Sequence, residues 1–110
     1  MIHVERVWLA VQPMDMRAGP DTALARVVKD FGAAHPPHAY VFANRRANRL
    51  KILVHDGLGV WLAARRLNQG RFVWPRAGQV HVEVTDTQLQ ALVIRLPWQR
   101  IGDGGIIDVL

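Results

Sequence analysis

The chain has 110 residues, of which half are apolar, and its 14 Lys and Arg outnumber its 9 Asp and Glu to give a formal charge of +5. This length suits one domain with a single core and excludes a catalytic domain joined to a separate binding domain. The absence of cysteine excludes disulfides, thiolate catalysis and cysteine-based zinc sites. We therefore expect one domain over residues 1–110, loose only in its tail at 101–110, with a polyanion such as nucleic acid as partner.

The N-terminal stretch MIHVERVWLAV interrupts its apolar residues with charged ones. It contains no apolar run long enough for a signal peptide or a membrane helix. We therefore expect a cytoplasmic protein that does not contact a membrane.

The first third of the chain predicts a strand followed by a helix. Residues 2–11 are rich in β-branched and aromatic residues, which favour a strand. An apolar stripe with spacing i, i+3, i+4, i+7 then runs from Leu24 to Phe31 and predicts a helix over residues 21–31. Gly32 suits the end of that helix, and a proline pair separates it from the next strand.

The dipeptide Asp56-Gly57 lies between two apolar runs and is the strongest hairpin signal in the chain. A two-residue loop there pairs Val54 with Gly59 and Ile52 with Trp61. The side chains of these pairs share one face of the hairpin.

A second turn, through residues 45–47, joins the preceding strand to this hairpin. An odd-numbered loop pairs Phe42 with Leu50, whereas a slip of one residue would place Phe42 opposite Lys51 and mix polar and apolar side chains on one face. We therefore predict a three-stranded meander with a single core face. That face consists of Tyr40, Phe42, Leu50, Ile52, Val54, Trp61 and Ala63.

The last part of the chain predicts a strand and a second helix. Residues 79–84 alternate between polar residues and valine, as strands do. Thr85 and Gln88 form a capping box that opens a helix, which Pro97 stops. The element order predicts an α+β fold, in which an antiparallel β-meander sheet carries two helices packed on one face.

Basic charge is concentrated in residues 43–76, which contain eight Lys and Arg and a single acid, Asp56. The rest of the chain has six basic and eight acidic side chains. In the predicted register Arg49 lies opposite Ala64, so that five arginines gather at one end of the sheet. A charged rim also keeps sheet edges apart, but that device does not need a single sign. The candidate nucleic-acid-binding residues are Arg45, Arg46, Arg49, Lys51, Arg65, Arg66, Arg71 and Arg76.

Catalytic signals are weak. The sequence contains no H-E-x-x-H, Walker or G-x-S-x-G motif and nominates no cofactor, metal site or catalytic residue. His55 and Asp56 together with Asp15 are candidate ligands of a divalent metal for phosphodiester chemistry, although the turn already explains Asp56. Trp61 is expected in the core, whereas Trp74 fits either the core or a base-stacking role.

The strings VWLAV and MDMR near the N-terminus, followed by VFANRRANRLKILVHDGLGVWLAARRLNQGRFVWP, resemble a known family. They are similar to the small accessory protein, of TnpB type, encoded by bacterial insertion sequences of family sixty-six. The resemblance implies a non-enzymatic role in transposition beside a large DDE-type transposase, which performs the cutting and joining, and a second small protein. It implies no catalytic residues.

Two positions depart from the family pattern. The family usually has Gly where Ala47 stands, which suits a left-handed turn residue, and Ala there costs on the order of 1 kcal/mol. An aromatic residue commonly stands in place of His55.

Three functional hypotheses follow. The first is an accessory protein that contacts DNA, or a transposase–DNA assembly, through the arginine-rich sheet edge. The second is a protein-only adaptor that docks on the transposase through Leu53, Val60 and Leu62, provided that the helices leave them uncovered. The third is a metal-dependent nuclease that relies on Asp15 and Asp56.

Overall fold

The computed structural model describes residues 4–75, 78 and 80–101. Arg76 and most of the tail that was expected to be loose lie outside these residues. Within them the chain forms, in order, β1 (Arg6–Ala10), α1 (Pro20–Phe31), β2 (His38–Ala43), β3 (Arg49–His55), β4 (Val60–Arg66), β5 (His81–Val84), α2 (Asp86–Val93) and a 3-10 turn (Trp98–Arg100).

The strands form one sheet in the order β4-β3-β2-β1-β5. β1 and β2 run parallel, because α1 carries the chain back across the sheet between them, and the other neighbours are antiparallel. The α+β class and the meander of β2, β3 and β4 are therefore confirmed.

The two helices lie on opposite faces of the sheet, so the prediction that both pack on one face is wrong in this detail. Val27 of α1 packs with Tyr40 and Leu53 on one face. Leu92 of α2 packs in a second cluster with Leu9 on the other face. The reason lies in β2 and its neighbours, which are apolar on both sides and need cover on both.

The register between β2 and β3 also differs from the prediction. Phe42 lies opposite Lys51, and a four-residue loop over 45–48 joins the strands. This one-residue shift of the register costs little because both faces of the sheet are buried. Val54 faces the α2 side, and Leu53 faces the α1 side. Lys51 is accommodated on the α1 side, where its ammonium donates a hydrogen bond to the carbonyl of Ala18.

The hairpin between β3 and β4 has a four-residue loop, Asp56 to Gly59, and Val54 pairs with Trp61 instead of Gly59. The carboxylate of Asp56 accepts hydrogen bonds from the amides of Leu58 and Gly59, both at 2.9 Å, and so builds the wider turn. A displacement of two residues preserves side-chain parity, so the β3 and β4 residues of the predicted face do share one face.

Trp61 is nevertheless 56% exposed, and its predicted place in the core is wrong. β4 is the edge strand, so its α2-side face lies at the margin of the core. The indole N–H of Trp61 instead donates to the Asp56 carboxylate at 2.8 Å.

The helix ends follow local sequence signals. α1 ends at Phe31, and Gly32 follows with φ 84°. α2 opens with the predicted capping box between Thr85 and Gln88. It ends earlier than Pro97 because Arg95 takes a positive φ of 67°.

Candidate nucleic-acid interface

The turn between β2 and β3 is built by the side chain of Asn44. Its amide oxygen accepts hydrogen bonds from the backbone N–H of Asn48 and Arg49, both at 3.0 Å. Its amide nitrogen donates to the side-chain oxygen of Asn48 at 2.7 Å. This network fixes the loop and leaves Arg45 and Arg46 exposed at its tip.

Ala47 adopts the left-handed conformation expected for it, with φ 55°. Its amide donates to the carbonyl of Asn44 at 3.0 Å, and its carbonyl accepts from the amide of Phe72 at 2.7 Å. Phe72 is buried in the core on the α2 side. The turn that carries Arg45 and Arg46 is therefore anchored to the core. Arg71, which directly precedes Phe72, has an exposed side chain.

Arg49 lies directly opposite Arg66 across the β3–β4 pair, and Leu50 lies opposite Arg65. The prediction that Arg49 faces Ala64 is wrong, because the hairpin is wider by two residues. Like charges directly opposite each other destabilise a sheet. Among the described residues, the ion pairs involve Arg6, Arg17 and Arg26. We define the arginine cluster as Arg45, Arg46, Arg49, Arg65 and Arg66. No ion pair among the described residues compensates its charge.

The arginine cluster lines two adjoining concavities, and Met16 and Arg49 belong to the walls of both. The first has a volume of about 490 Å³ and lies between the β2–β3 turn and the loop after β1. The second has a volume of about 320 Å³ and lies along β3 and β4. Their basic lining residues are Arg17, Arg45, Arg46 and Arg49 in the first, and Arg49, Lys51, Arg65 and Arg66 in the second.

Arg17 is a basic wall residue that the sequence did not nominate. The loop that carries it is placed by the amide of Met14, which donates to the carbonyl of Ala43 at 2.9 Å. Arg26 holds the same loop by donating from its guanidinium to the carbonyls of Gln12 and Pro13. The only sequence signal for this segment was the string MDMR in the family resemblance.

Asp15 also lines the first concavity, but Arg17 engages it. The Arg17 guanidinium donates to its carboxylate at 2.7 and 3.1 Å, and the Arg17 amide donates at 2.9 Å. These hydrogen bonds lower the pKa of Asp15 to about 2. Asp15 and Arg17 therefore form a neutral pair beside the cluster.

The structure does not bring Asp15 and Asp56 together. Asp15 lies beside the start of β3 and Asp56 follows its end, so the seven residues of β3 separate them by roughly 20 Å. The hydrogen bond from the Trp61 indole, followed by those from the amides of Leu58 and Gly59, lowers the pKa of Asp56. Over the described ranges, no three His, Asp or Glu side chains gather as a metal site. The two-aspartate nuclease hypothesis loses its geometric basis.

The apolar surface suggested for the adaptor hypothesis is covered. Leu53 is fully buried, and Val60 and Leu62 are half-buried against the core beneath α1. Trp74 is half-buried too, and its indole N–H donates to the carbonyl of Val11 at 3.3 Å. This contact identifies Trp74 as a packing residue rather than a free stacking platform.

Comparison with known proteins finds one family model and two similar proteins. A family model described as IS66 Orf2 like protein matches residues 5–103. Protein y4hO of Sinorhizobium fredii strain NBRC 101917 / NGR234 is 36% identical over 97 residues, which cover 86% of this chain and 83% of y4hO. Protein y4jC of the same strain is 29% identical over 97 residues, which cover 87% of this chain and 83% of y4jC. No solved structure matches the chain significantly. None of the described helices is long and apolar enough to cross a membrane.

Proposed function

The chain belongs to the IS66 Orf2-like family, and on that premise we propose that it assists transposition of its insertion sequence by binding DNA phosphates with the arginine cluster. It acts in the cytoplasm without catalysing a step itself. The transposase performs the cutting and joining, and the second small protein of the element acts beside it.

The uncompensated pair of Arg49 and Arg66 is the observation that carries this proposal. Two guanidinium groups on facing residues repel each other, and an anion between or beside them would remove the repulsion. Phosphates of nucleic acid are anions that arginine binds with two hydrogen bonds. The turn anchored through Ala47 adds Arg45 and Arg46 to the same end of the sheet, which suits a run of neighbouring phosphates.

The lining of the concavities favours the backbone of duplex DNA over a single strand. Single-strand binders stack bases on aromatic side chains beside basic ones. The described residues that line the two concavities include no aromatic side chain. Trp61 lies near the other end of β4 from Arg65 and Arg66, and its indole N–H is engaged by the Asp56 carboxylate.

A salt titration tests the proposal. Each phosphate contact on duplex DNA contributes a slope of roughly −0.9 in log affinity against log salt, so four to five contacts give a slope of roughly −3.6 to −4.5. The affinity of the wild-type protein is measured by fluorescence anisotropy on a duplex and on a single strand of equal length. We expect steep salt dependence, weak sequence preference and tighter binding to the duplex.

The informative variant is the double change Arg45→Ala with Arg46→Ala, which should flatten the slope by about one to two units. The matched control is Lys29→Ala with Arg100→Ala, which removes two exposed cations outside the cluster. Arg26 is unsuitable as a control because it holds the loop that carries Arg17. Equal slopes for the two double variants would remove the arginine cluster from the interface. A wild-type protein that ignores DNA at low salt but binds purified transposase would establish the adaptor instead.

A further inference from the structure

The edge strand β4 has one side of its backbone without a partner strand in the described sheet. The amide of Asp56 donates to the carbonyl of Gly59 at 3.1 Å, and the amide of Leu67 donates to the carbonyl of Asn48 at 2.9 Å. Odd-numbered residues therefore bond to β3, and antiparallel alternation directs the N–H and C=O groups of even-numbered residues outward. The outward residues are Val60, Leu62, Ala64 and Arg66.

Over its first five residues this edge lacks the features that usually keep sheet edges apart, which are charge, proline, a bulge or a short length. The opposite edge, β5, has only four residues and carries Glu83, which pairs with Arg6 at 3.6 Å. β4 has seven residues, and the first five contain neither charge, proline nor glycine. Beside them, Trp61 is 56% exposed and Leu58 in the preceding turn is 99% exposed. The β4 edge is thus a long apolar strand that is open to pairing.

We propose that the β4 edge pairs in antiparallel orientation with the β4 edge of a second copy of the chain, so that two five-stranded sheets become one. The charge pattern selects this arrangement. A parallel pair would set Arg65 and Arg66 beside the same arginines of the other copy, whereas an antiparallel pair sets them beside its apolar half. The strand can therefore complement itself without an acidic partner.

The strand length fixes the register. β4 spans Val60–Arg66, and a two-fold axis through its midpoint, Ala63, overlaps the whole strand with its copy. Every outward residue then finds a partner, Leu62 with Ala64 and Val60 with Arg66. Two hydrogen bonds for each of these pairs give about eight across the interface.

The side chains agree with this register. Trp61 and Arg65 lie on the same face of β4, since both are odd-numbered. Pairing about Ala63 places Trp61 of each copy opposite Arg65 of the other. A guanidinium over an indole ring is a favourable contact, and it covers the exposed Trp61.

The pairing has a consequence for the interface with DNA. A two-fold axis perpendicular to the sheet leaves the same face of both copies on one side, so both sets of concavities face one way. The Arg66 Cα atoms of the two copies would stand roughly 20 Å apart along the strands. The pairing and the proposed function can fail separately. A monomer that binds DNA would overturn the pairing and leave the DNA interface in place.

Sedimentation equilibrium of the whole chain tests the pairing. The wild-type protein should have twice the mass of the monomer. Ala64→Pro removes an outward N–H while leaving the bonds to β3 in place, and it should yield a monomer with an unchanged circular dichroism spectrum. Ala64→Val keeps that N–H and should remain a dimer. A monomeric wild-type protein, or equal masses for the two variants, would overturn the proposal.

Disulfide capture tests the register independently, and the chain has no cysteine of its own to interfere. At the two-fold axis the two Ala63 Cα atoms form a non-hydrogen-bonded pair at about 4.5 Å, which a disulfide can bridge. Ala63→Cys should therefore cross-link rapidly under mild oxidation. Trp61→Cys, opposite Arg65, and Thr22→Cys, exposed on α1, should cross-link slowly. Equal rates for all three variants would contradict the register.

Discussion

The substitution Arg66→Glu should make the protein more stable and a poorer DNA binder at the same time. Arg66 faces Arg49 directly across β3 and β4, at an exposed end of the sheet. Removing one of two facing like charges should raise the free energy of unfolding by about 0.2–1 kcal/mol, and introducing an opposite charge in its place should raise it by about as much again. Solvent and salt reduce these values at an exposed site, so the total increase in the free energy of unfolding should be about 0.5–1 kcal/mol.

The effect on DNA has the opposite sign. Reversal of the charge removes one phosphate contact and adds a repulsive group beside the others. The slope of log affinity against log salt should therefore flatten by about one to two units. The two readouts are urea unfolding at low salt and anisotropy on duplex DNA, with Arg66→Ala as an intermediate that removes the repulsion without adding an attraction.

The stability order Arg66→Glu above Arg66→Ala above wild type, with affinity in the reverse order, is the expected result. A charge reversal that lowers the free energy of unfolding would show that the arginine pair is not a source of repulsion. Unchanged DNA affinity with raised stability would separate the pair from the interface and leave it as a local packing feature.

Four further predictions test the fold. Ala47→Gly should raise the free energy of unfolding by about 0.5–1 kcal/mol, because an L-residue at positive φ is strained, whereas Ala25→Gly on exposed helix should lower it by about 1 kcal/mol in the same thermal melts. Leu53→Ala should cost about 2–5 kcal/mol in urea titrations, because the side chain is completely buried. Thr85→Ala should cost about 1 kcal/mol through loss of the α2 cap. Burial lowers the pKa of His38, so the folded state resists its protonation; stability should hold above pH 6.5 and fall as the pH drops below it, and His38→Gln should weaken that fall.

The elements were predictable from sequence because their signals are local. The bounds of α1, the cap of α2 and the positions of both turns in the meander depend on a few neighbouring residues. The registers depend on which faces are buried. The strand β2, with the sequence HAYVFA, is apolar on both faces, so alternation could not exclude Phe42 opposite Lys51 once a helix covered each side.

Convergence of the arginines was predictable even though both registers were wrong. Arg45 and Arg46 occupy a short turn, and Arg65 and Arg66 end the strand that returns to it, so connectivity alone brings them to one end of the sheet. Arg17 was missed because its loop is placed by tertiary contacts, such as the Arg26 guanidinium on the carbonyls of the loop, that no local pattern encodes.

Two conflicts with ordinary folding rules occur close together at this end of the sheet. Ala47 holds a left-handed conformation that glycine would adopt without strain, and Arg49, two residues later, faces Arg66. Either conflict could be relieved by a single substitution at little cost to the core. The side chains of Arg49 and Arg66 are exposed, and glycine in place of Ala47 removes only a methyl group. Rules of local consistency tend to be broken where a protein's function requires it. The arginine pair is the conflict that a bound polyanion would resolve, whereas Ala47 would remain strained with or without DNA. Arg66→Glu should therefore change stability and DNA binding in opposite directions, while Ala47→Gly should change stability alone.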